Sequence, residues 1–286
     1  MKKCSYKAIA LLLASLVALT ACGGPAGGSQ ENTGVGYAYS NLADDESRAL
    51  VQAAMESGAA GERAAGLFEQ VSYFNEAVAG YGLVDGGFTG VIKSEPPYDP
   101  YEMQDLWDAK HPDFMGYNCR ITSFYIMQDL ITIGDAQPDE SDFLLFDEQS
   151  IAKSPMVLFD EARLNDFRTL YYAIPTENTK EEGIHAQKVA KHFEERGIAF
   201  HENGISLVEV YFHDEEGYLF VGHVGVLMAT DSGYIFIEKI AFQEPYQAVQ
   251  FEGRAQLRDY LMTKYDVAWG QETARPFIVE NGRLMQ

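Results

Sequence analysis

Cysteine is scarce in this chain: 286 residues hold three, Cys4, Cys22 and Cys119. Basic residues are few as well, 21 lysines and arginines against 43 acids, for a formal charge of −22. A balance of that sign repels nucleic-acid phosphates and anionic lipid headgroups. It excludes nucleic acid as a partner and electrostatic docking on a membrane as a mode of attachment. The acids are spread along the chain, as on a solvated surface. Several chemical signatures are also missing. There is no Walker-type phosphate loop, dinucleotide fingerprint, HExxH or paired CxxC, and the acids lack the spacing of a calcium loop. Nothing calls for a metal or an organic cofactor.

The N-terminus bears on the compartment. Lys2, Lys3 and Lys7 form a positive region, and the apolar run from Ala8 to Leu19 is too short to span a bilayer comfortably. Small residues follow, ending in Leu19-Thr20-Ala21-Cys22, so 1–21 reads as a secretory signal. The ending resembles a bacterial lipobox, which implies cleavage before Cys22 and a lipid on its sulfur. The alternative is an ordinary cleaved signal with a chance cysteine. Residues 22–36 are Gly-rich and polar, as in a flexible tether. The expected place is the outer face of the cell membrane, held by the Cys22 lipid. With Cys4 removed and Cys22 lipidated, Cys119 has no intramolecular partner, and a disulfide framework is excluded. It is a buried small hydrophobe, an intermolecular link or a reactive group.

The remaining 250 or so residues suit one large domain, or one domain with an appendage. The pattern predicts helices over 40–85, a short helix after "EPPYDP", and a helix over 118–133 that is apolar on nearly every side. Two amphipathic segments follow near 160–173 and 178–196. "NTKE" has the form of a capping box with Asn178 as cap. The period then changes: "ISLVEVYFH", "GYLFVGHVGVLMA" and "YIFIEKIAF", separated by turn residues, predict an antiparallel meander. "YQAVQF" and "PFIVEN" read as further strands, with a helix over "GRAQLRDYLMTKY" between them. Helices first and strands later is an α+β pattern. The expected division is a helical extension over 37–95 and an α+β domain over 96–286.

Asn118 is a good helix cap, which places Cys119 in the first turn of the buried helix. Unpaired N–H groups and the positive end of the helix dipole stabilise a thiolate there, and Arg120 adds a nearby charge. Of the six histidines, His111, His185, His192, His201 and His213 sit in polar contexts and read as solvated. His223 differs, because it lies in the apolar run "LFVGHVGVLM" between Gly222 and Gly225. It is either a satisfied core histidine or a base. Strict alternation puts Val221, His223, Gly225 and Leu227 on one face. If the "TDSG" hairpin pairs Thr230 with Gly233, Glu238 lies opposite Gly225 and diagonal to His223, roughly 7–8 Å away. There its carboxylate can orient the imidazole, in room left by Gly225. Gln243 is the reserve for that third position.

A cysteine heading a buried helix, then a histidine and a polar residue on neighbouring strands, resembles the papain-like and NlpC-type cysteine hydrolases. "GHVGVL" is similar to the run around the histidine of the NlpC type. The resemblance implies a papain-like core with Cys119 as nucleophile, His223 as base and Glu238 as orienter. Asp113 stands where the papain pattern has its oxyanion glutamine, so the Cys119 N–H and the Asn118 side chain are the substitutes. Over nearly the whole chain, "GYNCRITSF", "IPTENTK", "GHVGVL" and "FIEKIAFQEPYQA" resemble the Domain of Unknown Function 4300 family of Gram-positive lipoproteins. The expected activity is a peptidase or amidase acting on a peptide or cell-wall amide. The alternative is a surface lipoprotein that binds without catalysis.

Overall fold

The computed structural model describes residues 36–93, 95–134, 142–201, 203–267 and 270–285. The signal, Cys22 and nearly all of the tether lie outside them. Two strand–helix changes build the N-terminal part. Strand β1 (Ala38–Ser40) leads into α1 (Asp45–Ser57) and α2 (Ala64–Ala77), and β2 (Gly90–Val91) follows. Asp44 caps α1 through a 2.9 Å bond from the Ser47 N–H. The helices α3 (Pro100–Lys110), α4 (Cys119–Met127), α5 (Leu145–Ala152), α6 (Glu161–Leu170) and α7 (Glu182–Arg196) come next, with short strands β3 (Ile131–Thr132), β4 (Ile174–Pro175) and β5 (Ala199–Phe200) among them. The long strands are β6 (Ile205–His213), β7 (Tyr218–Thr230), β8 (Gly233–Lys239) and β9 (Tyr246–Phe251). Helix α8 (Arg254–Tyr265), β10 (Phe277–Glu280) and β11 (Arg283–Leu284) complete the chain.

The expected meander is present. The main sheet runs β11-β10-β6-β7-β8-β9-β1-β2, with β4 pairing β7, and every pairing is antiparallel. The fold is α+β. One face of the sheet carries Leu207, Val224, Val226, Ile235 and Ile237 against the helices α1 to α4, α6 and α7. The other carries Val208, Val210, Leu227, Phe236 and Val249, covered by Leu257, Tyr260 and Leu261 of α8. Each fully buried aliphatic side chain contributes roughly 1.5–3 kcal/mol of transfer free energy. A run of such residues on both faces explains why the central strands read as nearly continuous apolar sequence. The segment 37–95 is helical in its middle, but its β1 pairs with β9 and its helices share the larger core, so it is built into the same body.

Three local expectations are corrected. The capping box at Asn178 does not form: α7 begins at Glu182, and the Thr179 hydroxyl takes the Glu181 N–H instead. His185, His192 and His213 are buried rather than solvated. The His185 ring stands on the inward stripe of α7, bonded to Thr176 Oγ1 at 2.7 Å and to the Thr179 carbonyl at 2.8 Å, with His213 beside it. Finally, β7 does not alternate strictly. Val210 pairs with His223 and Tyr211 with Val221, so Gly222 is the extra residue of a β-bulge. A Cβ on Gly222 would lie 2.3 Å from the Phe212 ring. The bulge sends Val221 to the helix-side core, whereas Leu227 lies on the opposite face.

Candidate active site

Asn118 is extended, at φ −111° and ψ −173°, and its Oδ1 accepts the Ile121 N–H at 3.0 Å. The cap fixes Cys119 as the first residue of α4, as its sequence context predicts. The preceding turn needs glycine: Gly116 has φ +93°, and a Cβ there would lie 2.6 Å from the Phe242 carbonyl oxygen. That close approach seats the β8–β9 loop against the chain entering α4. Buried Lys239 holds the same loop, donating from Nζ to the carbonyls of Ala241 at 2.7 Å, Phe242 at 3.2 Å and Glu244.

The hairpin has the register that the site requires. Thr230 pairs with Gly233, and Gly225 with Glu238. That pair is the last rung between β7 and β8, so His223 lies where the two strands part. Its Nε2 is 2.6 Å from Glu238 Oε2. The Cys119 thiol, at the head of α4, lies close enough to the ring for the two to shift each other's pKa. The bulge at Gly222 leaves the imidazole between the carboxylate on the α8 side and that thiol. The free space at Gly225 has a different use from the expected one. A Cβ at 225 would lie 2.2 Å from Phe236 Cζ, so it is the Phe236 ring that fills the gap.

The electrostatics of the three groups are coupled. Burial alone would push the Cys119 thiol up, but the His223 bond and charge, with Arg120, outweigh it and lower the pKa. Burial pushes the His223 ring down, while its bonds to Cys119 and Glu238 raise it above its ordinary value. Glu238 falls to about 2: burial works against this, and the Lys264 ammonium and the His223 contact prevail. All three directions favour a thiolate beside an imidazolium. Glu238 also accepts from Gln247 Nε2 at 3.0 Å and from the Tyr260 hydroxyl, and Lys264 Nζ stands 3.8 Å away. Tyr265 stacks on the His223 ring at 4.7 Å between centroids.

The supporting residues have further uses. Asn118 Oδ1 caps the helix, and one of the two Nδ2 hydrogens goes to Asp147 Oδ1 at 2.8 Å, which leaves the other as a donor. The Cys119 N–H remains as a main-chain donor at the helix head. Gln243 does not hold the imidazole, because Glu238 takes that position. The sequence reading missed Asp147, Gln247, Tyr260, Lys264 and Tyr265. Gln247 pairs with Glu238 across β8 and β9, but the six-residue loop between those strands conceals the register.

The family model described as "Domain of unknown function (DUF4300)" matches residues 38–285. The chain belongs to the DUF4300 family. The match includes Cys119, His223 and Glu238 together with every residue that supports them here. No curated protein matches this DUF4300 chain, and no solved structure does. Among its described residues no helix is long and apolar enough to cross a membrane, and no group of three or more His, Cys, Asp or Glu is placed to hold a metal ion.

Proposed function

We propose that this DUF4300 chain is an extracellular cysteine hydrolase, a peptidase or amidase with a papain-like core, tethered to the membrane by lipid on Cys22. The observation that carries the reading is the His223 imidazole, bonded to Glu238 and coupled electrostatically to the thiol at a helix head. In such a site the Cys119 thiolate attacks a carbonyl carbon, and the new tetrahedral oxyanion faces the Cys119 N–H. Collapse breaks the C–N bond, and the imidazolium gives its proton to the departing amine. Neutral His223 then takes a proton from water, which attacks the thioester and releases the acid and the thiolate. Glu238 keeps Nε2 protonated and the ring oriented throughout. Substrate classes that suit the compartment are peptidoglycan stem peptides, exported proteins and lipid amides.

The experiment is hydrolysis of such amides by wild type and Cys119→Ala, followed by mass. Wild type is expected to release the amine, and the variant to lose activity by at least about a thousandfold, since the nucleophile is gone. Equal rates in the two proteins would sink the reading. The anchor is tested separately by palmitate incorporation, which the reading places on Cys22. One observation favours a second reading, a surface lipoprotein that binds without catalysis. Cys119 is 6% exposed and His223 1%, which leaves a narrow approach to the thiol. A thiol inert to small electrophiles in the folded protein would decide for it.

A further inference from the structure

The proposed chemistry needs Cys119 and His223 in register although they come from different layers. Hydrogen bonding makes that link through a residue outside the triad. Asp147 lies on α5 with no exposed surface. Its Oδ1 accepts from Asn118 Nδ2 at 2.8 Å and from Arg120 Nε at 2.8 Å. Its Oδ2 accepts from the second arm of the Arg120 fork at 2.6 Å. The third arm of Arg120 donates to the Val221 carbonyl at 2.8 Å, beside the β7 bulge and two residues before His223. One turn along α5, on the same face, the Ser150 hydroxyl donates to the Gly116 carbonyl.

We propose that Asp147 is a positioning residue that clamps the head of α4 to the β7 bulge, fixing the Cys119 sulfur against the His223 ring. The proposal rests on the hydrolase reading. The carboxylate orients Asn118, which caps the helix that presents the thiol. It also orients Arg120, which ties that helix to the strand carrying the base. A planar guanidinium with a bidentate partner holds direction as well as charge, which an ammonium does not. Asp147 itself touches no reacting atom.

The position and charge effects of Asp147 have opposite signs, which makes the test decisive. As a charge, Asp147 raises the thiol pKa, so neutralising it in place would lower that value. As a clamp, its loss lets the thiol and ring drift apart, and the thiol returns toward the free value of about 8.5 or above. The experiment is the rate of iodoacetamide alkylation at Cys119 against pH, in wild type and Asp147→Asn, with near-UV circular dichroism to verify packing. The clamp predicts a midpoint shifted upward and a neutral-pH rate reduced about tenfold. An unchanged or lowered midpoint in a folded variant overturns it. Where Asp147→Asn does not fold, Arg120→Lys carries the same test, because it keeps both charges and removes the fork. The wild-type curve separates the two claims. A wild-type midpoint like that of free cysteine refutes the hydrolase reading and the clamp with it. A low wild-type midpoint that the variants leave in place refutes the clamp alone.

Discussion

His223→Ala slows alkylation of Cys119 at pH 7 severalfold, while the protein keeps its native near-UV circular dichroism. The physical chain is short. Two of the influences that lower the thiol pKa come from the imidazole, its hydrogen bond and its charge, and burial opposes them. Without the ring, burial prevails over Arg120 and the pKa rises past that of a free thiol, about 8.5. The thiolate fraction at pH 7 then falls to about 3% or less. Part of that loss is offset because a more basic thiolate is intrinsically more nucleophilic, with a Brønsted coefficient of roughly 0.4–0.5. A severalfold fall is what remains. Folding survives because Glu238 keeps Gln247, Tyr260 and Lys264 as partners once the ring is gone. Unchanged alkylation would mean that the thiol owes nothing to the histidine.

Glu209→Gln makes the protein more stable at alkaline pH relative to wild type, by up to about 4 kcal/mol near pH 9. Glu209 stands on β6 with no exposed surface, and Val224 pairs with it on the neighbouring strand. Burial pushes its carboxyl up to about 8, against a usual 4.5, and the Tyr211 hydroxyl offsets only part of this. Between those values the folded chain holds a proton that the unfolded chain has released. Stability therefore declines as pH rises through that window, and the loss is complete above about 8. Each unit of difference corresponds to about 1.4 kcal/mol, which makes the total on the order of 4–5 kcal/mol. Glutamine does not titrate, so its stability curve lacks that slope. A constant offset from burying an amide is expected, about 1–3 kcal/mol where it lacks partners, and the diagnostic is the difference in slope. Glu238 has the opposite sign. Its folded value of about 2 stabilises above 4.5 and loses that contribution as pH falls, so over pH 5 to 9 the difference between the wild-type and variant curves isolates Glu209 from it and from the other groups that titrate there. Parallel curves for the two proteins over that range would contradict a neutral Glu209.

The placement of Cys119, His223 and Glu238 was legible because each rests on a local rule. A cap residue fixes where α4 begins, an apolar run makes a histidine conspicuous, and a tight hairpin between Thr230 and Gly233 fixes register for the residues that follow. The bulge at Gly222 was not legible. It depends on the Phe212 ring of another strand, and nothing local to "VGHVG" distinguishes a bulge from a regular strand with glycines. The burial of His185 and His192 was concealed by the charged residues around them, which lie on the other faces of α7. Asp147 sits in "LLFDEQS" among other acids, and its partners Asn118 and Arg120 are 29 and 27 residues away. Contacts of that range depend on how α5 docks, which no short pattern encodes. Glu209 did leave a signal: a single acid inside "ISLVEVYFH", on the same face as Leu207 and Tyr211, is a buried charge by alternation alone.

The most direct measurement of the central claim is the alkylation rate of Cys119 in the native wild-type protein from pH 4 to 10, with the modified residue verified by mass spectrometry. A thiolate–imidazolium pair predicts a rise to a plateau well below pH 8.5, with a neutral-pH rate above that of free cysteine. A rate that climbs only above about pH 9, or a thiol that stays unmodified until the protein unfolds, would contradict it.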